Sequence, residues 1–301
     1  MAMTRSGILL IDKPEGPSSA QIVHRVKTIL QPKKVGHLGT LDPFASGLLL
    51  IGINEGTKIA DIFLTGVKSY CGVIALGIDT DTQDRTGKVV AERPVPALSE
   101  SDLRELEQKF IGELQQVPPM FSALKKDGVR LYRLARQGKE VPRAPRRIRI
   151  DELRVAKLNE SELEFTTTCS RGTYVRTLAA DMGRELGCGA HLKKLRRTDC
   201  DHLSVEKAIG LEELESRCAK DGAPLLSLRE ALLHLPAVTW QSRLLSRLRL
   251  GQQELLAQIG RPRACEDLVG ILDQRGELAA LAKWSDEPTG GRWRLHRIFH
   301  T

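Results

Sequence analysis

The run Gly36-His37-Leu38-Gly39-Thr40-Leu41-Asp42-Pro43-Phe44-Ala45-Ser46-Gly47-Leu48-Leu49-Leu50 decides how the rest of the chain is read. It sets one carboxylate, Asp42, on a glycine-flanked turn walled by Leu41, Phe44 and Leu48. A carboxylate is costly to hold against apolar surface unless a cation or hydrogen-bond donors meet it. That cost marks Asp42 as the first candidate for a reacting group.

Upstream of the turn, Gly7-Ile8-Leu9-Leu10-Ile11-Asp12-Lys13-Pro14 predicts a strand that Lys-Pro ends. Ser18-Ser19 predicts the cap of a helix over 20–30, with Ile22, Val23, Val26 and Ile29-Leu30 as its apolar stripe. Downstream, strands are predicted at 70–76, 88–90, 148–158 and 163–169, and helices at 101–110 and 175–186, the latter stopped by Gly187. Composition shifts near Leu235-Pro236. Beyond it a hairpin is predicted over 268–284, with a last strand at 292–299, a small and mostly β tail.

The chain has 301 residues, enough for one large domain or two, and its 41% hydrophobic content supports a sizeable core. Aromatics are only 4%, so that core should be aliphatic. The net charge is +8. Residues 125–149 hold ten basic and two acidic side chains, so ten minus two accounts for the whole excess. A charge run is commonly a solvated face. One that carries the entire excess, with Tyr132 inside it, reads as a phosphate-binding surface. Gly128, Gly138, Pro142 and Pro145 predict a mobile excursion there.

The six cysteines are scattered, with no C-x-x-C spacing, and Cys200-Asp201-His202 is too slight for a metal site. No signal-peptide pattern and no bilayer-length apolar run is present, so a cytoplasmic protein with reduced thiols and no membrane contact is expected.

Arg176 falls in the first turn of the 175–186 helix, where the macrodipole disfavours a cation. A partner carboxylate would repair that, and Asp42 would need such a guanidinium; a surface arginine on a helix end is the alternative. Tyr70 and Tyr174 each offer a flat face for a base and a hydroxyl for proton transfer, against core packing as the plain reading. His37 is a candidate on the same turn as Asp42, or a capping residue there. The stretch 72–84 imitates two known patterns and meets neither. Gln83 stands where an aspartyl phosphatase needs Thr or Val. A calcium loop would need Gly at Asp84 and Glu at Val90. A polar hairpin turn accounts for it.

The 37–49 run resembles the G-H-x-G-x-L-D-P-x-A-[ST]-G-[ML]-L signature of the TruB family of tRNA pseudouridine synthases. Five further blocks resemble that family in order: Gly7–Lys13 with Pro14, Lys68-Ser69-Tyr70, Pro119-Met120-Phe121-Ser122-Ala123-Leu124-Lys125, Cys169-Ser170-Arg171-Gly172-Thr173-Tyr174-Val175-Arg176-Thr177, and Leu186 to Leu192 followed by Leu195-Arg196-Arg197.

The resemblance implies an α+β pseudouridine synthase fold. A central mixed, mostly antiparallel sheet would be flanked by helices over 1–234. A basic RNA-gripping insertion would span about 118–150, and a PUA-like domain 235–301. It implies isomerisation of the T-loop uridine of tRNA, position 55, with base flipping and with no cofactor and no metal. Asp42, Tyr70 and Arg176 are then catalytic: Asp42 as the reacting carboxylate, Arg176 as its partner, and Tyr70 stacked on the base and able to move the proton. His37, Tyr174, Lys13, Leu195, Lys125 and Arg136 are then substrate-binding positions. The expected partner is the tRNA T-arm, with no obligate protein or guide RNA, and a monomer. Two rivals remain: a tRNA-folding chaperone whose catalysis is secondary, and a guide-RNA-dependent relative.

Overall fold

The computed structural model describes residues 3–122, 124–220, 222–262, 267–286 and 290–300. β1 (Gly7–Lys13) ends at Pro14, which has no N–H to extend a ladder. α1 (Ser19–Leu30) begins one residue earlier than its apolar stripe predicts. The Ser18 hydroxyl accepts from the Gln21 N–H and the Gln21 side chain accepts from the Ser18 N–H, a capping box. Ile22, Val26 and Leu30 form its buried face. β2 (Val35–His37) and β3 (Ser46–Ile53) follow, on either side of the Asp42 turn. β3 is buried on both faces, as an interior strand with an unbroken apolar run should be.

Next come α2 (Ala60–Thr65), β4 (Lys68–Leu76), the hairpin β5 (Ile78–Thr80) and β6 (Val89–Glu92), α3 (Glu100–Phe110) and β7 (Gly112–Gln116). The basic segment carries the short ladder β8 (Lys125–Lys126) and β9 (Val129–Arg130) and the helix α4 (Leu131–Arg136). β10 (Arg146–Asn159), β11 (Glu162–Cys169), α5 (Val175–Glu185), β12 (Ala190–Cys200) and β13 (Leu203–Ser204) complete the larger part. The remainder comprises α6 (Leu211–Lys220), α7 (Leu228–Ala231), β14 (Ala237–Thr239), α8 (Ser242–Arg249), β15 (Leu268–Leu272), β16 (Leu278–Ser285) and β17 (Arg292–Ile298).

The main sheet runs β1-β3-β12-β4-β11-β10-β7, with β2 and β13 attached. Its pairings are antiparallel except β12 with β3, which is parallel and confined to Arg196 opposite Ser46 and Arg197 opposite Gly47. Just before that, β12 meets the β5–β6 loop: Leu192 N–H donates to Gln83 O at 3.0 Å and Arg85 N–H to Leu192 O at 3.1 Å. β12 thus exchanges one neighbour for another beside the Asp42 turn. Gly47 makes the parallel approach possible. Its φ is +100°, and a Cβ there would lie 2.2 Å from the Arg197 carbonyl.

The principal core is aliphatic, as composition predicts: Leu9, Ile51, Ile74 and Leu192 from the sheet meet Val26 of α1, Leu106 of α3 and Met182 of α5. A second cluster joins Leu48 and Leu50 of β3 to Leu281 and Phe299 of the C-terminal part. There β14-β15-β16-β17 form a separate four-stranded sheet. The architecture is therefore α+β, a mixed and mostly antiparallel sheet with helices plus a small C-terminal sheet. Among the described residues, no helix is long and apolar enough to cross a membrane.

Candidate active site

The Asp42 turn is held at nearly every peptide. The buried Ser19 hydroxyl donates to Leu41 O and accepts from Leu41 N–H, both at 2.9 Å. Pro43 O accepts from Gly16 N–H at 2.8 Å and from Lys13 Nζ at 3.2 Å. Arg197 Nε donates to Leu48 O at 2.7 Å, and its two amino nitrogens reach Gly39 O and Thr40 O. Leu41, Phe44 and Leu48 are buried as expected, but Asp42 is not: its side chain is 38% exposed. The apolar residues anchor the turn and leave the carboxylate facing outward.

The buried member of the pair is Arg176, only 6% exposed, with Nε 2.8 Å from Asp42 Oδ2. A guanidinium this deep costs several kcal/mol unless it is fully paired. Nη1 donates to Thr82 O at 3.0 Å and Nη2 to Phe121 O at 2.9 Å. Nη1 also lies 3.7 Å from Asp84 Oδ2. The Asp84 carboxylate is itself fixed by Thr82 Oγ1, Thr86 N–H and Thr86 Oγ1 at 2.6–2.9 Å. Two carboxylates thus offset the unfavourable place of a cation at the α5 N-terminus. One guanidinium ties together the Asp42 turn, the β5–β6 loop and the start of the basic segment.

Tyr70 is half-buried on β4, opposite Arg197 of β12. Burial pushes its hydroxyl up to about 12, with the neighbouring Arg197 guanidinium opposing the rise, so the phenol is neutral at ordinary pH. His37 is lowered by burial and then by Arg197, so it is neutral near pH 7, and its Nδ1 is buried with no hydrogen-bond partner. Lys13 has no exposed surface. Burial brings it down to about 8 against the attraction of Asp42 and Glu15, and Nζ donates to Pro14 O at 2.8 Å. Tyr174 closes another side: burial raises its phenol, which senses both Arg176 and Asp42.

Other expected positions lie elsewhere. Leu195 is a buried residue of β12 opposite Gly72, lining a groove of about 630 Å³ with Cys71, Phe165 and Arg196. Lys125 and Arg136 are exposed on the basic segment, where Arg136 lies over the Tyr132 ring at 5.6 Å. Ala123 and Cys265 lie outside the described residues.

Three residues escaped the sequence reading. Asp84 was part of a polar turn, and nothing in local sequence shows that the turn folds onto Arg176. Arg197 was visible only as part of a resembling block. Gln116 precedes Val117-Pro118-Pro119, and its inward place on β7 beside Leu114 was the available signal. Among the described residues, no group of three or more His, Cys, Asp or Glu is placed to hold a metal ion. Asp201 instead accepts from Val67 N–H, and His202 pairs with His234.

The family model for the TruB family pseudouridylate synthase (N terminal domain) matches residues 27–175, and that for the tRNA pseudouridylate synthase B C-terminal domain matches residues 176–237. The tRNA pseudouridine synthase B of Geotalea uraniireducens is 48% identical over 231 residues, 76% of this chain and 74% of that protein. That of Syntrophobacter fumaroxidans is 42% identical over 98% of this chain and 97% of its own length. Among solved structures, a Cbf5-Nop10-Gar1 complex contains a chain that superposes with a TM-score of 0.73 at 25% identity, over 98% of this chain and 85% of that one. The chain belongs to the TruB family of tRNA pseudouridine synthases.

Proposed function

We propose that this chain converts the T-loop uridine at position 55 of tRNA to pseudouridine, with Asp42 as the reacting carboxylate. The observation that carries the reading is the 2.8 Å contact between the half-exposed Asp42 and the buried Arg176. A carboxylate so held is fixed in direction while one face remains open to substrate.

The reaction breaks N1–C1′, turns the uracil and joins C5 to C1′; C5 loses its proton, N1 takes one up, and the net change is an isomerisation. Asp42 serves as nucleophile or electrostatic stabiliser at the sugar or base. Arg176 orients it. Tyr70 stacks on the uracil and, with its hydroxyl beside Arg197, stands to relay the C5 proton. His37, on the same turn as Asp42, helps to hold the flipped nucleotide. Lys13 and Tyr174 shape the pocket, and Leu195 backs the neighbouring groove.

A stacked T-loop base must be extruded, which costs a few kcal/mol. Phosphate contacts from the basic segment, Lys125 and Arg136 among them, offset that cost. In this reading 1–234 is catalytic, 118–150 grips RNA and 235–301 is a PUA-like RNA-binding part. The protein works as a cytoplasmic monomer without protein or guide-RNA partner. Mapping pseudouridine at nucleotide resolution in tRNA incubated with the purified protein tests this. Conversion at position 55 supports it, and an unmodified position 55 overturns it.

A further inference from the structure

α5 opens in an unusual way. Its N-cap is Tyr174, whose side chain makes no capping hydrogen bond. Ser, Thr, Asp or Asn commonly fills that role. The peptide is instead gripped by Gln116, 58 residues earlier in the chain. Gln116 Oε1 accepts from Tyr174 N–H at 2.8 Å, and Nε2 donates to Tyr174 O at 3.2 Å. The amide orientation follows from chemistry, because the backbone N–H can only donate and the carbonyl only accept. Gln116 is 3% exposed, so both of its bonds lie out of water, where an unmade one is costly.

This grip sits between the reacting groups and the basic segment. Arg176 is two residues beyond Tyr174. Phe121, whose carbonyl takes Arg176 Nη2, is five residues beyond Gln116. Each end of the clamp therefore leads directly into a group that touches the Arg176–Asp42 pair. We propose that Gln116 is a positioning residue for the reaction: by pairing with both sides of the Tyr174 peptide it sets the angle at which Arg176 meets Asp42. The proposal rests on the assignment of Asp42 and Arg176 to the chemistry. Misplacement of a reacting group by about 1 Å is enough to cost roughly 100-fold in rate.

The test is single-turnover pseudouridine formation on tRNA with enzyme in excess, for wild type, Gln116→Met, Arg176→Lys and the double variant. Methionine keeps the length and volume of Gln116 and removes both hydrogen bonds. A loss of folded protein would lower the effective enzyme concentration and leave the saturating rate constant alone. The clamp predicts that Q116M lowers that constant about 10- to 100-fold, with tRNA Kd within about threefold of wild type. In the R176K background Q116M should cost less than about threefold more, because the two act through one geometry. A wild-type rate constant in Q116M beside a slow R176K overturns the clamp alone, as does a loss confined to Kd. Fully multiplicative effects in the double variant also overturn it. A wild-type rate in R176K overturns the reading of the site and the clamp with it.

Discussion

The Asp42 turn and the basic segment at 125–149 are built in opposite ways. In the turn, Ser19, Lys13, Gly16 and Arg197 hold the backbone at residues 39, 40, 41, 43 and 48, and three apolar side chains anchor it. In the segment from 125 to 147 Leu131 is buried in the core, while Lys125, Arg130, Arg133, Arg136 and Lys139 all stand in solvent. Its ion pairs, Arg143–Glu140 and Arg147–Glu113, are solvent-exposed on at least one side, and such pairs add about 0–1 kcal/mol. Reacting atoms must be fixed within a fraction of an ångström, and polyphosphate is gripped well by adaptable charge. Under the proposed function, the contrast divides chemistry from capture.

The strongest way to break that division is Asp42→Asn. Its single-turnover rate should fall by more than about 1,000-fold, the scale for loss of a reacting group, with tRNA Kd unchanged. A filter-binding titration beside the activity assay reads both. A variant that lost binding as well would erase the division. Arg176→Lys keeps the charge and loses the planar fork that meets Asp42, Thr82 and Phe121 together. Its rate should fall about 100- to 1,000-fold, again with little change in Kd.

In the capture region the effect should be smaller and of another kind. Arg136→Ala should weaken tRNA binding severalfold and reduce the slope of log Kd against log salt by about 0.7–0.9. The saturating rate should stay within about twofold. A slope identical to wild type would remove Arg136 from the phosphate-contacting set.

The smallest effect concerns Lys13. Burial lowers it to about 8 from an unfolded value of 10.5. The unfolded chain therefore binds more protons than the folded one between those values, so stability gained from this group rises as pH climbs from 8 to 10.5. Denaturant titrations across that window should show the rise in wild type and a flatter curve in Lys13→Met. Equal curves would place Lys13 in a more solvated setting.

Legibility in the sequence followed how local each signal was. β1, α1 and α5 were readable because Pro14, the Ser18 cap and Gly187 act within a few residues of the elements they bound. β12 was not, because bulges near Lys193 and between Arg197 and Asp199 break the alternation that marks a strand. The Asp42–Arg176 pair could be argued only from two local signals taken together, a cation at a helix start and a carboxylate on an apolar turn. Asp84 and Gln116 could not, since each reaches its partner, 92 and 58 residues away in the chain, only through folding.

In the proposed reaction Asp42, directed by Arg176, acts on one T-loop uridine. Forming the C5–C1′ bond must expel the hydrogen on C5, so tRNA carrying tritium at C5 of uridine 55 reports the event itself. Wild type should release tritium to solvent in step with pseudouridine at position 55, and Asp42→Asn should release none above background. Release by that variant at the wild-type rate, or none by wild type, would contradict it.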